Sequence, residues 1–404
     1  MKVTITVSKK PIAPGFSVFA ATFIAAIATS VTVSHAQVPT VTADIPAPPI
    51  AARAYVLFDA GSGQILAQQA ASERFEPASL TKLMTAYLAF QALRDNKLTL
   101  TQILPVSERA WRAEGSRMFI DPKQTPTVEQ LLRGMIIQSG NDASIALAEG
   151  VAGSEDLFAQ MMNKQVLKLG MKNSNFTNAT GLPNAQLYTT AEDIAILANA
   201  LIRDFPANVG YYKEREYTYN KITQPNRNRL LWLDPTVDGL KTGHTEAAGY
   251  CLVATAVRGK GGDGDRARRL ISVVLGTTSD VARTQESQKL LNYGFQFFDS
   301  QRLYKKGEAI ATPQIYKGTQ NTVKLGFDRD IWLTLPKDKF VGMKATLTTL
   351  QPLIAPYSSG QKAGVMKLTQ HDKLIAEIPV VALENVPVAG FLGRGWDAIR
   401  LLFN

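Results

Sequence analysis

The chain has 404 residues, 45% of them hydrophobic, which is long and apolar enough for two domains with sizeable cores. A single cysteine, Cys251, excludes an intramolecular disulfide and makes redox chemistry a poor reading, while three histidines without a His-Glu-x-x-His helix argue against a histidine-built metal site. The formal charge of +10 suits a soluble exported protein and is compatible with anionic lipid or cell-wall polymer.

Lys2, Lys9 and Lys10 precede an apolar run from Phe16 to Val33, and Ser34-His35-Ala36 is a small-x-small cleavage site. Residues 1–36 are therefore expected to be a signal peptide, with the mature chain starting at Gln37 and carrying a charge of about +7 once the three leader lysines are gone. Residues 37–50, rich in Pro, Ala and Val, read as a linker. Ala54 to Ala60 and Gln64 to Gln68 predict two short strands joined by a hairpin at Gly61-Ser62-Gly63.

Glu76 to Leu88 follows. Pro77 suits a first helical turn, and Leu80, Leu83, Met84, Tyr87 and Leu88 recur at helical spacing, so Ser79 lies at a helix start with Lys82 three residues on, on the same face. A serine hydroxyl is a weak nucleophile until a neighbour takes its proton, and an amine does so only when neutral. Holding Lys82 neutral requires a pKa drop of about 3 units, about 4 kcal/mol, which burial and nearby cations could supply. The same spacing in Ser359-Gly360-Gln361-Lys362 falls in a Pro/Ser/Gly-rich turn, where no helix joins the two side chains.

From about residue 83 to 205 the periodicity is mainly helical. Leu131, Leu132, Met135 and Ile136 share one face, as do Ile194, Leu197, Ala198, Leu201 and Ile202. Strand patterns return at Asp238–Lys241, Gly249–Arg258 and Leu270–Gly276, followed by a helix from Gln285 to Phe298. One sheet built from both ends of the domain is the expectation. Gly259 to Gly264 fits G-x-G-x-x-G but leads into the strand-like Arg268–Val274, so it reads as a hairpin loop, not a dinucleotide site. Residues 301–389 alternate in short runs broken by Gly and Pro and predict a small all-β domain. Residues 390–404 predict an amphipathic helix with Phe391, Leu392, Trp396, Ile399, Leu402 and Phe403 on one side, and Arg394, Asp397 and Arg400 opposite. Fifteen residues are too few to span a bilayer, so this helix is expected to lie on a membrane surface.

Two further motifs follow Ser79-x-x-Lys82 in order. These are Ser139-Gly140-Asn141, between two helices, and Lys241-Thr242-Gly243, on a predicted strand. The ordered triple is the signature of serine penicillin-binding proteins and class A β-lactamases. Pro77 to Lys82, Gln138 to Ala143, Val237 to Thr245 and Arg269 to Gly276 together resemble the low-molecular-mass D-alanyl-D-alanine carboxypeptidases of bacterial cell-wall metabolism. That resemblance covers essentially the whole mature chain, including the β-rich domain and the terminal helix. Serine β-lactamases share the motif order but not the added domain and tail.

The resemblance implies an α+β penicillin-recognising, transpeptidase-like domain over residues 51–300: an antiparallel sheet flanked by helices, with the cleft between the sheet and the helical region. It implies Ser79 as the acylated nucleophile, Lys82 as its base, Ser139 as proton relay and Asn141 as orienter of the substrate amide. Lys241 and Thr242 would hold the substrate's terminal carboxylate, with Arg283 near it, and Gly243 would allow close approach. The N–H groups of Ser79 and His244 would form an oxyanion hole. No metal or cofactor is implied. The implied partners are the peptidoglycan stem pentapeptide, β-lactams as covalent inhibitors and a membrane surface, with no nucleic acid, and the implied location is the periplasmic face of the inner membrane. Two rivals are a β-lactamase, for which Glu216 in Glu216-x-x-x-Asn220 is the candidate deacylation base, and a penicillin-sensing binding domain.

Overall fold

The computed structural model describes residues 45–259, 267–337 and 339–402. The expected signal peptide and the first part of the expected linker lie outside the described residues. The chain divides into two compact units, with the boundary between Asp299 and Ser300.

The first unit opens with strands β1 (Ala54–Asp59) and β2 (Gln64–Gln69), then a single 3-10 turn, Ala78–Thr81, leading into α1 (Lys82–Arg94). A helical segment follows: α2 (Glu108–Trp111), α3 (Val128–Ile137), α4 (Asn141–Ala152), α5 (Glu155–Leu169), α6 (Ala191–Asp204) and α7 (Gly210–Lys213). After the hairpin β3 (Glu216–Tyr219) and β4 (Ile222–Pro225) come α8 (Leu230–Leu233), β5 (Val237–Thr245), β6 (Gly249–Arg258), β7 (Arg268–Thr277) and α9 (Asp280–Phe297).

The main sheet has the order β2-β1-β7-β6-β5, with antiparallel neighbours throughout. The N-terminal hairpin thus pairs with the C-terminal strands, and the helical segment is inserted between them. β1 is buried at every position, although successive side chains of a strand point to opposite faces. Both faces must therefore be covered. Leu57, Leu252, Ala254, Leu270 and Val274 pack with Leu290, Leu291 and Tyr293 of α9 in one core. That approach is close: a Cβ on Gly294 would lie 2.6 Å from a Leu270 methyl. α6 contacts β1 and β7 as well. β5 is left as an edge strand, and its lower half faces the 3-10 turn bearing Ser79.

Residues 45–50 are not a free linker. Ile50 is buried in the α9 core, the Tyr293 hydroxyl donates to the carbonyl of Ile45 (2.9 Å), and Lys289 donates to that of Pro49 (3.1 Å). Composition signalled a linker, but apolar Ile45 and Ile50 found a surface to cover. Because β6 and β7 are antiparallel neighbours, the glycine-rich segment between them joins two adjacent strands. Residues 260–266 of that segment lie outside the described residues.

The second unit is β-rich. β10 (Leu325–Gly326), β15 (Lys373–Ala382), β14 (Lys362–Gln370) and β12 (Met343–Thr349) form a sheet in that order. β8 (Phe298–Tyr304) pairs with β11 (Ile331–Pro336), and β9 (Ile315–Tyr316) with β13 (Leu353–Ile354). Ser359 sits in an exposed turn where its hydroxyl donates to the Leu383 carbonyl. The chain's last described element is α10 (Phe391–Leu402).

Candidate active site

Ser79 lies in the 3-10 turn, three residues before α1 begins at Lys82. The sequence predicts an α-helical start here, but the tighter turn serves the pair better, because residues three apart eclipse one another in a 3-10 helix. Ala78, just before, adopts φ 46°, which turns the chain into the cleft. Lys82 Nζ is 3.0 Å from Ser79 Oγ, 2.7 Å from Asn141 Oδ1 and 2.6 Å from the Thr180 carbonyl. The last two partners are pure acceptors. A neutral amine gives them its two N–H groups and keeps its lone pair for the Ser79 proton.

Lys82 is buried, and its pKa is lowered from 10.5 to about 7. Burial is the largest cause and the cation of Arg227 the next, with the Asp142 carboxylate opposing both. This is the environment the sequence argument requires of a lysine base.

Ser139 and Asn141 are carried by the junction between α3 and α4. Thr127 caps α3 through a reciprocal capping box with Gln130. The chain then turns at Ser139, with φ 62°, and α4 starts at Asn141. Asp142 accepts from the backbone N–H groups of Met118, Phe119 and Ile120, tying the 118–120 loop to this junction. The Ser139 hydroxyl is buried with no hydrogen-bond partner among the described residues, and Ser139 lines the cleft. Asn141 donates to the Glu114 carbonyl while accepting from Lys82, so its first evident task is to hold the lysine.

Lys241, Thr242 and Gly243 stand on β5, the sheet edge facing Ser79. Lys241 is buried, donates to the Thr242 carbonyl (3.1 Å), and has its pKa pulled well below normal by burial first and then by Lys82, Arg227 and Arg283. Gly243 allows a close approach within the protein itself. A Cβ there would lie 3.2 Å from the Pro77 carbonyl and from Leu80 Cγ, so what β5 admits is the turn carrying the nucleophile. His244 is exposed and stacks against Tyr250, their ring centroids 4.0 Å apart. Arg283, buried in α9, donates to the Gly243 carbonyl (3.3 Å) and pairs with Asp280. Cys251 is buried in β6 opposite Gly243, its thiol pushed up to about 11 by burial, and serves as a small core residue.

These groups surround a cleft of about 510 Å³ lined by Ser79, Ser116, Ser139, Thr242, Gly243, His244, Tyr250 and Arg283, together with Arg227, Arg229 and Asp280. All nine residues singled out in the sequence converge on this region. Arg227 and the Thr180 carbonyl were missed. Arg227 sits in a run of turn residues with no distinguishing signal, and a carbonyl has no residue type to read. Glu216 is exposed on β3 and does not line the cleft.

A serine paired with a buried lysine at the mouth of an α+β cleft, facing a Lys-Thr-Gly edge strand, defines a serine peptidase of the penicillin-recognising class. A family model described as D-alanyl-D-alanine carboxypeptidase matches residues 40–279, and one described as penicillin-binding protein 5, C-terminal domain, matches residues 298–388. The chain belongs to the D-alanyl-D-alanine carboxypeptidase family. It is 42% identical to the D-alanyl-D-alanine carboxypeptidase DacC of Escherichia coli, over 89% of this chain and 90% of that protein. The crystal structure of penicillin binding protein 5 from Haemophilus influenzae is similar, with a TM-score of 0.79 and 40% identity, over 85% of this chain and 99% of that one. Penicillin-binding protein D2 of Listeria monocytogenes in its ampicillin-bound form matches with a TM-score of 0.56 and 32% identity, over 62% of this chain and all of the other (100%).

Proposed function

We propose that this protein removes the terminal D-alanine from peptidoglycan stem pentapeptides through an acyl-enzyme on Ser79, and that β-lactams acylate the same hydroxyl. The observation that carries this reading is the Lys82 amine, 3.0 Å from Ser79 Oγ, with acceptors at its other two contacts and a pKa near 7. Neutral Lys82 takes the Ser79 proton as Oγ attacks the carbonyl of the penultimate D-alanine. The N–H groups of Ser79 and His244 stabilise the oxyanion that develops. Ser139, its hydroxyl uncommitted, relays the proton to the leaving amine, and release of D-alanine leaves an ester that water cleaves.

Thr242, Lys241 and Arg283 receive the substrate's terminal carboxylate at the end of β5. Cationic Arg227 and Arg229 line the same cleft, and this excess of positive charge favours an anionic ligand. Asn141 trades its hold on Lys82 for the substrate amide as the peptide enters. Against a β-lactamase reading, the only carboxylate lining the cleft among the described residues is Asp280, already paired with Arg229 and Arg283.

The finer setting is an exported enzyme held at the membrane surface by α10. Phe391 and Trp396 are 83% and 64% exposed, while Asp397 on the polar side accepts from the Lys317 N–H (2.6 Å) within the β-rich unit. A helix docked by its polar face leaves its apolar face for lipid. Among the described residues no helix is long and apolar enough to cross a membrane.

Incubation with a D-Ala-D-Ala peptide and with benzylpenicillin, read by D-alanine release and intact mass, tests the reading. Release of D-alanine and one penicilloyl group on the peptide containing Ser79 are expected, both lost in Ser79→Ala. Penicillin turnover as fast as peptide hydrolysis would favour a β-lactamase. Acylation without any D-alanine release would favour a sensor.

A further inference from the structure

Arg229 and Asp280 line the cleft without a specific contact assigned in the mechanism above. Arg229 immediately precedes α8, with its side chain 60% exposed at the rim, and Asp280 is the first residue of α9. Asp280 joins two arginines of the cleft lining. Its Oδ2 lies 2.6 Å from Arg229 Nε and its Oδ1 accepts from Nη2 of Arg283. One carboxylate thus ties a guanidinium at the rim to a guanidinium buried in the wall, beside Thr242 and Gly243.

The bridge does not exhaust the donors. Each guanidinium has five N–H groups, and Asp280 engages one nitrogen of each. The Nε of Arg283 is buried without a hydrogen-bond partner among the described residues, and Arg283 itself is only 5% exposed. Nor does the bridge neutralise the cleft, because among the described residues Arg227, Arg229 and Arg283 line it against Asp280 alone. An exposed arginine ordinarily pays side-chain entropy to close on a ligand. Arg229 is already held, by the carboxylate that also holds the wall arginine.

We propose that Arg229, positioned by Asp280, is a second guanidinium for the terminal carboxylate of the substrate and a determinant of specificity for a free acid at that end. The inference rests on the reading in which Thr242 and Arg283 receive that carboxylate. Arg229 adds a charge-assisted donor from the rim beside the buried Arg283, so the carboxylate meets two guanidiniums, and Asp280 acts through the two arginines without touching substrate. Because Arg229 is exposed, its contribution is partly screened and weakens with salt.

The test uses the full-length mature enzyme and two peptides, one ending in D-Ala-D-Ala with a free carboxylate and the other with the same terminus as a primary amide. D-Alanine and D-alaninamide release give kcat and KM for each. In Arg229→Gln, KM for the acid should rise about tenfold with little change in kcat, and the acid-to-amide ratio of kcat/KM should fall by a similar factor, the scale of one partly screened charged hydrogen bond. Arg229→Lys should recover part of the ratio. Asp280→Asn should reproduce the loss and Asp280→Glu should partly restore it. Increasing salt should lower the wild-type ratio more steeply than that of Arg229→Gln. An unchanged ratio in Arg229→Gln, or equal losses for both peptides, would overturn the proposal while leaving the carboxypeptidase reading intact. Wild-type enzyme that releases neither amine would overturn both.

Discussion

The pH dependence of Ser79 acylation follows from the surroundings of one amine. Lowering the Lys82 pKa from 10.5 to about 7 means that the folded protein disfavours the ammonium by about 5 kcal/mol, at roughly 1.4 kcal/mol per unit. Only the free amine accepts the serine proton, so activity is lost as pH falls through 7, not gained. About half of Lys82 is neutral at pH 7 and about one molecule in a hundred at pH 5, for a single group titrating near 7. The second-order rate constant for penicillin acylation should therefore drop about 100-fold between its alkaline plateau and pH 5, with a midpoint near 7. Timed acid quenching and intact-mass measurement of the adduct would give the profile without a coupled assay. Arg227→Gln removes the second cause of the shift and should move the midpoint upward, whereas the burial contribution stays. A flat profile between pH 5 and 8, a midpoint near that of an ordinary lysine, or a midpoint that Arg227→Gln moves down would refute the neutral-amine argument.

Three further outcomes are expected. Gly181 has φ +83°, and a Cβ there would fall 1.8 Å from the Ala78 carbonyl oxygen, so Gly181→Ala must push the Ser79 turn away from the Thr180 carbonyl. Denaturant unfolding should show a loss of about 2–4 kcal/mol and penicillin labelling should slow about 100-fold; wild-type values for both would sink the argument. Asp59 is fully buried and pairs with Arg268 at 2.7 Å, so Arg268→Met leaves a buried carboxylate held only by the N–H groups of Gly61 and Ser62 and should cost about 3–5 kcal/mol, seen as a lower Tm. Removing Gly390 to Asn404 should release the mature enzyme from anionic vesicles in a flotation assay while small-peptide hydrolysis continues; unchanged flotation would count against α10 as the anchor.

What the sequence alone determined is what short-range periodicity encodes. Residues three apart on a helical turn are neighbours whatever the rest of the chain does, so Ser79 and Lys82 were legible as a pair, and Ser359 with Lys362 as a mere coincidence of spacing. The short apolar runs of β1, β6 and β7 were equally plain, and three ordered motifs with the stretches around them pointed to the family before any distance was known. The tertiary structure decided what depends on segments far apart in the chain. Lys82 needed Asn141 and the Thr180 carbonyl to fix its lone pair, and Arg227 to help keep it neutral. The packing of β5 on the Ser79 turn, which also calls for a glycine at Gly243, shows only once the two segments are together. Composition marked residues 37–50 as a linker, and only the fold shows that α9 offers residues 45–50 a surface. Backbone carbonyls have no side-chain identity, and a guanidinium in a turn looks the same in sequence whether it faces water or a catalytic amine. Only the fold brings such groups within the few ångströms at which they shift a proton.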